Sequence, residues 1–541
     1  MNVDGGGRCR SLPERPMKSP APTPHASPLT PTMKQMNRSK PMKHPMPMKP
    51  ESHLKQLKEI TAVLFSLAIA GTMLPPASHA AMLDELTTPL ADPLLAQPPV
   101  LVHGKPLPGD QEGLICSPGP TVLREPLSLA DAIDLALCQH PQVQAAWAGI
   151  KVQAAQLGEA RAAYLPSVNA GASQVRSKTS PAAGEGVRST QSYYAALTWR
   201  LLDAGARAAN RRAADALLEA AAAGHDATLQ KAMANVIGLY FDAQSSQASE
   251  QARAQSEALA RQVLETALKR EQRGVGSRPE TLQARTFVAK AELELGRARG
   301  QHQKALVALN LAMGAPVAGE EAQTLSLVPP TDDDLPALEL DLREWLQTAR
   351  EQHPAILAAQ AQLDASREKV QATRAEGLPS VDLSAGQYIN GRPNQSPGVR
   401  GERDTTVGVS LNIPLFDGFS RTYKVRGAQG QVELRQAELR DVQAQVQGDI
   451  STAYVEASAA LRNLASSRRL LEAAQSSVDA ISRKYDSGIA DIVEMLNAQA
   501  ALSDASQERI RTLSDWRSAR LRLLANAGRM SRSVLATDAK P

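Results

Sequence analysis

The side chains able to do covalent chemistry are few in this 541-residue chain, and their spacing suits none of the common reactions. Of its nine histidines, His25, His44, His53 and His79 all come before Ala80. His140 and His353 each precede a proline, so a helix break is expected there rather than a metal ligand or an acid–base group. No glycine loop of the phosphate-binding kind occurs, so energy for any transport must come from a partner. No catalytic residue, metal site or cofactor is expected. The three cysteines are Cys9, Cys116 and Cys138. Cys116 lies in a Pro/Gly segment and Cys138 in an expected helix, and in an oxidising compartment they can pair. Two unpaired buried thiols are the alternative to that disulfide.

The compartment is set by the segment from Met1 to Ala80. Residues 1–50 are rich in Pro, Met and Lys and have no apolar period, so they cannot bury enough surface to offset ordering entropy. Lys55 and Lys58 then precede an apolar run from Ile60 to Leu74 and the small-residue site Ser78-His79-Ala80. That order is a secretory signal with cleavage after Ala80, and the run is short for a membrane anchor. A start at Met48 would give a signal of more ordinary length, leaving 1–47 as a misassigned start. Cys9 is lost with the leader.

Charge points the same way. Residues 1–80 hold 11 basic and 4 acidic side chains, and the remainder holds 49 and 52. The mature chain is therefore slightly acidic, which removes the argument for a nucleic-acid partner. A mean hydropathy of −0.29 excludes a bundle of membrane-spanning helices. Aromatic residues make up only 3%, too few for several compact aromatic cores. Ala, Gln, Leu, Arg and Glu dominate instead, the composition of long helices.

The chain is internally duplicated. Gln139-His140-Pro141 recurs as Gln352-His353-Pro354, and Leu165-Pro166-Ser167-Val168 as Leu378-Pro379-Ser380-Val381, both at the same offset. Tyr240 and Tyr454, Gly274 and Gly488, Leu282 and Leu496, and Gly314 and Gly528 keep that offset to within one position. The expected units are a leader (1–80), an N-terminal arm (81–126), a first repeat (127–314), a linker (315–339), a second repeat (340–528) and a tail (529–541).

Each repeat changes period along its length. Residues 129–163 read as helix, with Ser128 as a cap. Val168, Ala170 and Ala172 then alternate with polar or small residues, and so do Tyr193, Ala195, Leu197, Trp199 and Leu201. In the second repeat Val381, Leu383 and Ala385 alternate, followed by Val407, Val409, Leu411, Ile413 and Leu415. A strict period of two puts these apolar side chains on one face of a strand. From Ala204 to Glu271, and again from Gly418 to Tyr485, no proline occurs, so helices of about 100 Å are expected. In the second of these Ile450, Ala457, Leu464, Leu471, Val478 and Tyr485 recur every seven residues, a coiled-coil seam. A glycine turn and a returning helix complete each repeat.

Two strands per repeat make four per chain, each about the length that crosses an outer membrane. Four strands cannot close a barrel, and open edges are not tolerated in lipid. The chain must therefore oligomerise: a dimer pools eight strands and a trimer twelve. A soluble coiled-coil scaffold or adhesin explains the heptads but not the strand pairs.

From Leu127 to Gly528 the sequence resembles the TolC-like outer-membrane factors. The resemblance rests on Leu127-Ser-Leu-Ala-Asp-Ala132, the two Leu-Pro-Ser strand entries, Pro414-Leu-Phe-Asp-Gly418, and the stretch Tyr485-Asp-Ser-Gly-Ile-Ala-Asp-Ile-Val-Glu-Met-Leu-Asn-Ala-Gln499. It implies a mainly α fold with a membrane β-barrel: a homotrimer, a 12-stranded barrel in outer-membrane lipid and a long periplasmic α-helical barrel. The long helices would line a wide, wet tunnel. The segments Leu114-Ile-Cys116-Ser-Pro and Ala136-Leu-Cys138-Gln-His-Pro are similar to the branch serving type I protein secretion. That branch implies a periplasmic adaptor, an inner-membrane ABC transporter and a secreted polypeptide cargo. Efflux of drugs or other small molecules through the same duct is the alternative.

The resemblance also nominates a periplasmic gate. Six residues past the tip glycines stand Glu280 and Glu494, placed to form an acidic ring whose mutual repulsion favours opening. Gln283 and Asn497 stand three residues further on, where some relatives carry a second acid. Tyr485 matches a tyrosine that helps hold the tip closed, whereas Ala490 stands where a partner Arg is found in some relatives. Gly274, Leu282, Gly488 and Leu496 are the expected adaptor-docking positions.

Overall fold

A histidine–proline pair divides the helical start of each repeat in two. Ser128 caps α1 (Leu129–Gln139) by accepting from the Asp131 amide at 3.2 Å. His140 ends α1 and caps α2 (Pro141–Ala162), its Nδ1 accepting from the Gln142 amide at 3.2 Å. Proline at the first helical position loses no hydrogen bond, since that amide is an orphan in any helix. The chain then forms β1 (Ser167–Thr179), β2 (Gly186–Leu202), α3 (Ala206–Gln272) and α4 (Arg278–Met313). The second repeat follows the same order: α5 (Leu342–Gln352), α6 (Pro354–Ala375), β3 (Ser380–Ile389), β4 (Arg403–Asn412), α7 (Ser420–Asp486) and α8 (Ile492–Asn526). His353 caps α6 as His140 caps α2, accepting from the Ala355 amide at 3.2 Å.

This computed structural model describes residues 126–179, 186–314, 325–328, 341–392 and 401–528 except 488, with residues 94, 96 and 530. All belong to one unit, Thr87–Pro541. The leader, most of the N-terminal arm, most of the inter-repeat linker and most of the tail, with Cys9, Cys116 and Gly488, lie outside the described residues. Cys138 is held in a disulfide. Among the described residues no helix is long and apolar enough to cross a membrane.

The four strands form one antiparallel sheet in the order β1-β2-β3-β4. Its register puts Val168 opposite Leu197, Leu197 opposite Ala385, and Ala385 opposite Val407. One face is therefore Val, Leu, Ala, Tyr193 and Trp199, and on β4 it is open: Val409 is 67% exposed. The other face carries Asn169, Ser173, Thr198, Ser384, Thr406 and Ser410. An exposed apolar face backed by a polar one fits a wall between lipid and water. The outer edges of β1 and β4 have no partner strand among the described residues.

α3 and α7 are each 67 residues long, about 100 Å at the usual rise. Both pass through apolar clusters near their middle. In one, Ile133, Val236, Ile237, Leu309 and Met313 are sealed, and the buried Tyr240 hydroxyl donates to the Leu127 carbonyl at 3.0 Å. In the other, Ile450 packs with Trp345, Trp516 and Leu523. Val236 and Ile450 are repeat equivalents, so one packing solution is used twice. The α7 seam is buried at Ala453, Ala457, Ala460, Ser467 and Ala474, small residues that let α8 approach closely. Ala260, Val263 and Ala267 do the same for α3 against α4.

The contact between these two coiled coils is different in kind. Ser249 donates to Gln507 at 2.5 Å, Arg253 to Ser503 at 2.9 Å and Ser256 to Ser503 at 3.2 Å, all from α3 to α8. Apolar seams hold each coiled coil together, and between the two coiled coils this polar stretch lies between two shared apolar cores, one with Leu521 and Ala525 of α8 against α3 and one at the helix ends. Polar contacts can be exchanged for water at small net cost, so along this stretch the pair is held more weakly than either seam.

Candidate functional site

Both coiled coils end in a turn of the same construction. After α3, Gly274 adopts φ +75°, the left-handed conformation that reverses the chain with no Cβ penalty. The Val275 and Gly276 amides both donate to the Arg270 carbonyl at 3.0 Å. After α7, the Ile489 and Ala490 amides donate to the Lys484 carbonyl at 2.8 and 3.2 Å, the same two bonds at the repeat-equivalent positions. Asp491 then caps α8, accepting from the Glu494 amide at 2.7 Å. In the first tip Ser277 precedes α4, and its hydroxyl donates to the Glu280 carboxylate at 3.0 Å.

The two expected gate acids thus sit on the first turn of each returning helix. Glu280 is half-buried and Glu494 exposed, and Gln283 and Asn497 are both exposed one turn further on. Tyr485 is only 3% exposed. It packs in a small core with Val263 and Ala267 of α3, Ala284 of α4, and Ala490, Ile492 and Met495. The ends of all four long helices share this core.

Arg270 on α3 closes it from one side. Its guanidinium lies 4.9 Å from the Tyr485 ring centroid and donates to the Tyr485 carbonyl at 3.1 Å. Arg270 therefore ties α3 to α7 where the resemblance led us to expect no arginine latch. Sequence reasoning looked for the partner after the tyrosine, at Ala490, and missed it on the other coiled coil. The signal that could have found it is a break in the duplication: Arg270 and Glu271 stand opposite Lys484 and Tyr485.

The four expected docking residues are not alike. Leu496 packs against the tip core, whereas Leu282 is 50% exposed. Gly274 shapes its turn, and Gly488 is outside the described residues. The most exposed apolar side chains at the tips are two that the sequence reading passed over, Val275 at 69% and Ile489 at 77%, which are repeat equivalents.

Higher on the helices, a cleft of about 860 Å³ opens between α3, α4 and α8. Burial pushes both the Asp242 and the Asp515 carboxyls above the usual carboxylate range. Each is a neighbour to other charges: Asp515 raises Asp242 further, Glu508 and Glu456 raise Asp515, and Arg522 and Arg511 oppose the shifts. Burial likewise pulls the His353 imidazole below its usual value, consistent with the neutral Nδ1 its capping bond requires.

Among the described residues no group of His, Cys, Asp and Glu could hold a metal ion.

Known proteins share this arrangement. The outer membrane efflux protein family matches residues 132–315 and 345–529, one match per repeat. Protein CyaE of Bordetella pertussis is 35% identical over 422 residues, covering 78% of this chain and 88% of CyaE. The alkaline protease secretion protein AprF of Pseudomonas aeruginosa is 27% identical over 266 residues, 48% of this chain and 53% of AprF. The CmeC outer membrane channel of Campylobacter jejuni superimposes with a TM-score of 0.66 at 17% identity, over 76% of this chain and 89% of that one. A duplicated, two-hairpin chain with 100 Å helices is thus a TolC-like outer-membrane duct and not an enzyme: it belongs to the outer membrane efflux protein family.

Proposed function

We propose that three copies of the chain close a 12-stranded barrel in outer-membrane lipid and form the exit duct of a type I secretion system. The observation that carries this is the four-stranded sheet: one face is apolar and exposed, and the outer edges of β1 and β4 are open. Lipid tolerates no unpaired strand edge, so β1 of one subunit pairs with β4 of the next. The likeness to CyaE and to a protease secretion protein supports a polypeptide as cargo. An inner-membrane ABC transporter would supply energy, and a periplasmic adaptor would dock on the helix tips. Val275 and Ile489 offer that adaptor an exposed apolar contact on both tips of every subunit.

The gate is the joint between the two coiled coils. Closed, it is held by the tip core around Tyr485, the Arg270–Tyr485 contact and the polar bonds above it. Parting α3 from α7 at the tip opens the small core around Tyr485 and widens the periplasmic mouth, while the seam within each coiled coil stays intact. Cys138 and Cys116 form the disulfide that ties the N-terminal arm to α1.

The family's description favours efflux of small molecules as the second reading. Deleting the gene and assaying both export of the polypeptide toxin or enzyme and drug sensitivity separates the two. Loss of export with unchanged drug sensitivity supports secretion; the reverse pattern rejects it.

A further inference from the structure

The polar face of the strand sheet carries mostly small side chains, with the Arg200–Asp382 ion pair toward the helices and one aromatic level further out. Ser, Thr, Asn and Gly occupy most of it, and among the described strand residues its only aromatic side chains are Tyr194 on β2 and Tyr388 on β3. These two are directly paired in the register, and their rings stack with centroids 6.2 Å apart and an interplanar angle of 23°. Each ring lies against a glycine. A Cβ at Gly171, opposite Tyr194, would come within 2.6 Å of that ring, and one at Gly386 within 2.8 Å of Tyr388. The rings therefore lie down on the wall, with one face against backbone. Arg392 extends the row, its guanidinium 5.2 Å from the Tyr388 centroid and bonded to Asp404 at 3.1 Å.

The level is the outward half of the sheet. Tyr194 is eight residues from the helix-side end of β2 at Leu202, about 27 Å along the strand. The opposite, apolar face at this level carries Tyr193.

We propose that Tyr194 and Tyr388, extended by Arg392, form a stacking band on the lumen wall that contacts the planar groups of an extended polypeptide as it leaves. The proposal rests on the barrel reading, because only closure turns the polar face into a lumen; three subunits then repeat the band around the exit. A flat π-surface takes aromatic side chains and peptide planes in sequence without a shaped pocket, as a passage for an unfolded chain requires. Glycines beneath the rings keep them from narrowing the pore.

The test uses the mature protein in planar bilayers. The probes are an unstructured synthetic peptide with spaced phenylalanines and the same peptide with leucine at those positions. Wild-type pores should be blocked longer by the phenylalanine peptide. Changing both Tyr194→Ala and Tyr388→Ala should shorten those blocks by about threefold to tenfold, the worth of one or two aromatic contacts. Tyr194→Phe with Tyr388→Phe should keep the long blocks, and Tyr193→Ala on the lipid side should leave them unchanged. If the alanine pair inserts no pores, Tyr194→Leu with Tyr388→Leu keeps the glycines covered and takes its place. Equal blocks by both peptides, or blocks unaltered in the ring-less variants, would overturn the band while leaving the barrel standing. Absence of pores from the wild type would overturn the barrel itself.

Discussion

The two helix tips share a backbone and differ in what their side chains hold. Both carry the pair of amide bonds that folds the turn onto the carbonyl five or six positions back. Both expose one large apolar residue at its apex, Val275 or Ile489. Only one coiled coil places a tyrosine at the end of its long helix, and only the other places an arginine to meet it. The repeat equivalents, Lys484 and Glu271, make no such pair. Features kept in both copies belong to the shape of the tip and to whatever docks on it. Features present once belong to the relation between the copies, which is the relation that the proposed gate would change.

Gly276 against Ala490 sharpens this contrast most. In the second tip an alanine is buried at the turn, but in the first a Cβ at Gly276 would fall 2.9 Å from the Arg270 Cβ and 3.0 Å from the Glu271 amide. Gly276→Ala should therefore destabilise by about 1–3 kcal/mol and displace the latch arginine, whereas Ala490→Gly should cost less than about 1 kcal/mol. Thermal or denaturant unfolding in detergent measures both; equal costs would mean the turns are interchangeable.

Next in size is the latch. Arg270→Ala should loosen the tip by about 1 kcal/mol, the range of a partly buried cation–π contact, and raise single-channel conductance. Lys484→Ala, at the equivalent exposed position, should leave conductance unaltered. A double-mutant cycle with Tyr485→Leu then reads the coupling directly, and a value near zero would break the asymmetry.

The acidic residues allow a finer comparison. Glu494 is exposed, while Glu280 is half-buried and bonded by Ser277. Block by divalent cations should weaken more in Glu494→Gln than in Glu280→Gln, and most in the double variant. Undiminished block in the double variant would reject the ring.

The smallest effect belongs to the Asp242–Asp515 cleft. A carboxyl whose folded pKa is raised favours the protonated fold, so stability is present at low pH. It is lost as pH rises through the range above 3.8. Asp515→Asn should flatten this slope and slightly raise the melting temperature at neutral pH. An unchanged slope would show that neither carboxyl reports on the cleft.

Much of the fold can be read in the chain because its signals are long. The proline-free stretches from Ala204 and Gly418 end within two residues of the α3 and α7 termini. His140 and His353 mark the helix breaks because proline admits no helix continuing through it. The alternating strands show their faces because one side is apolar and the other polar. The first hairpin is harder: β2 runs 17 residues against 10 for β4, but its opening Gly186-Val-Arg-Ser-Thr-Gln-Ser192 has no apolar alternation. The site is less legible than the fold. Glu280, Glu494 and Tyr485 can be placed by their offset from a glycine. Arg270 cannot, since its partner is remote in sequence and on another helix. Val275 and Ile489 give no periodic signal, because a residue at a turn apex faces neither seam.

The mass of the purified particle in detergent, measured by light scattering together with its conductance in bilayers, tests the closed barrel most directly. Three copies per particle and long-lived pores are expected. A stable single copy that forms no pores would contradict the pooling of strands between subunits, and the duct with it.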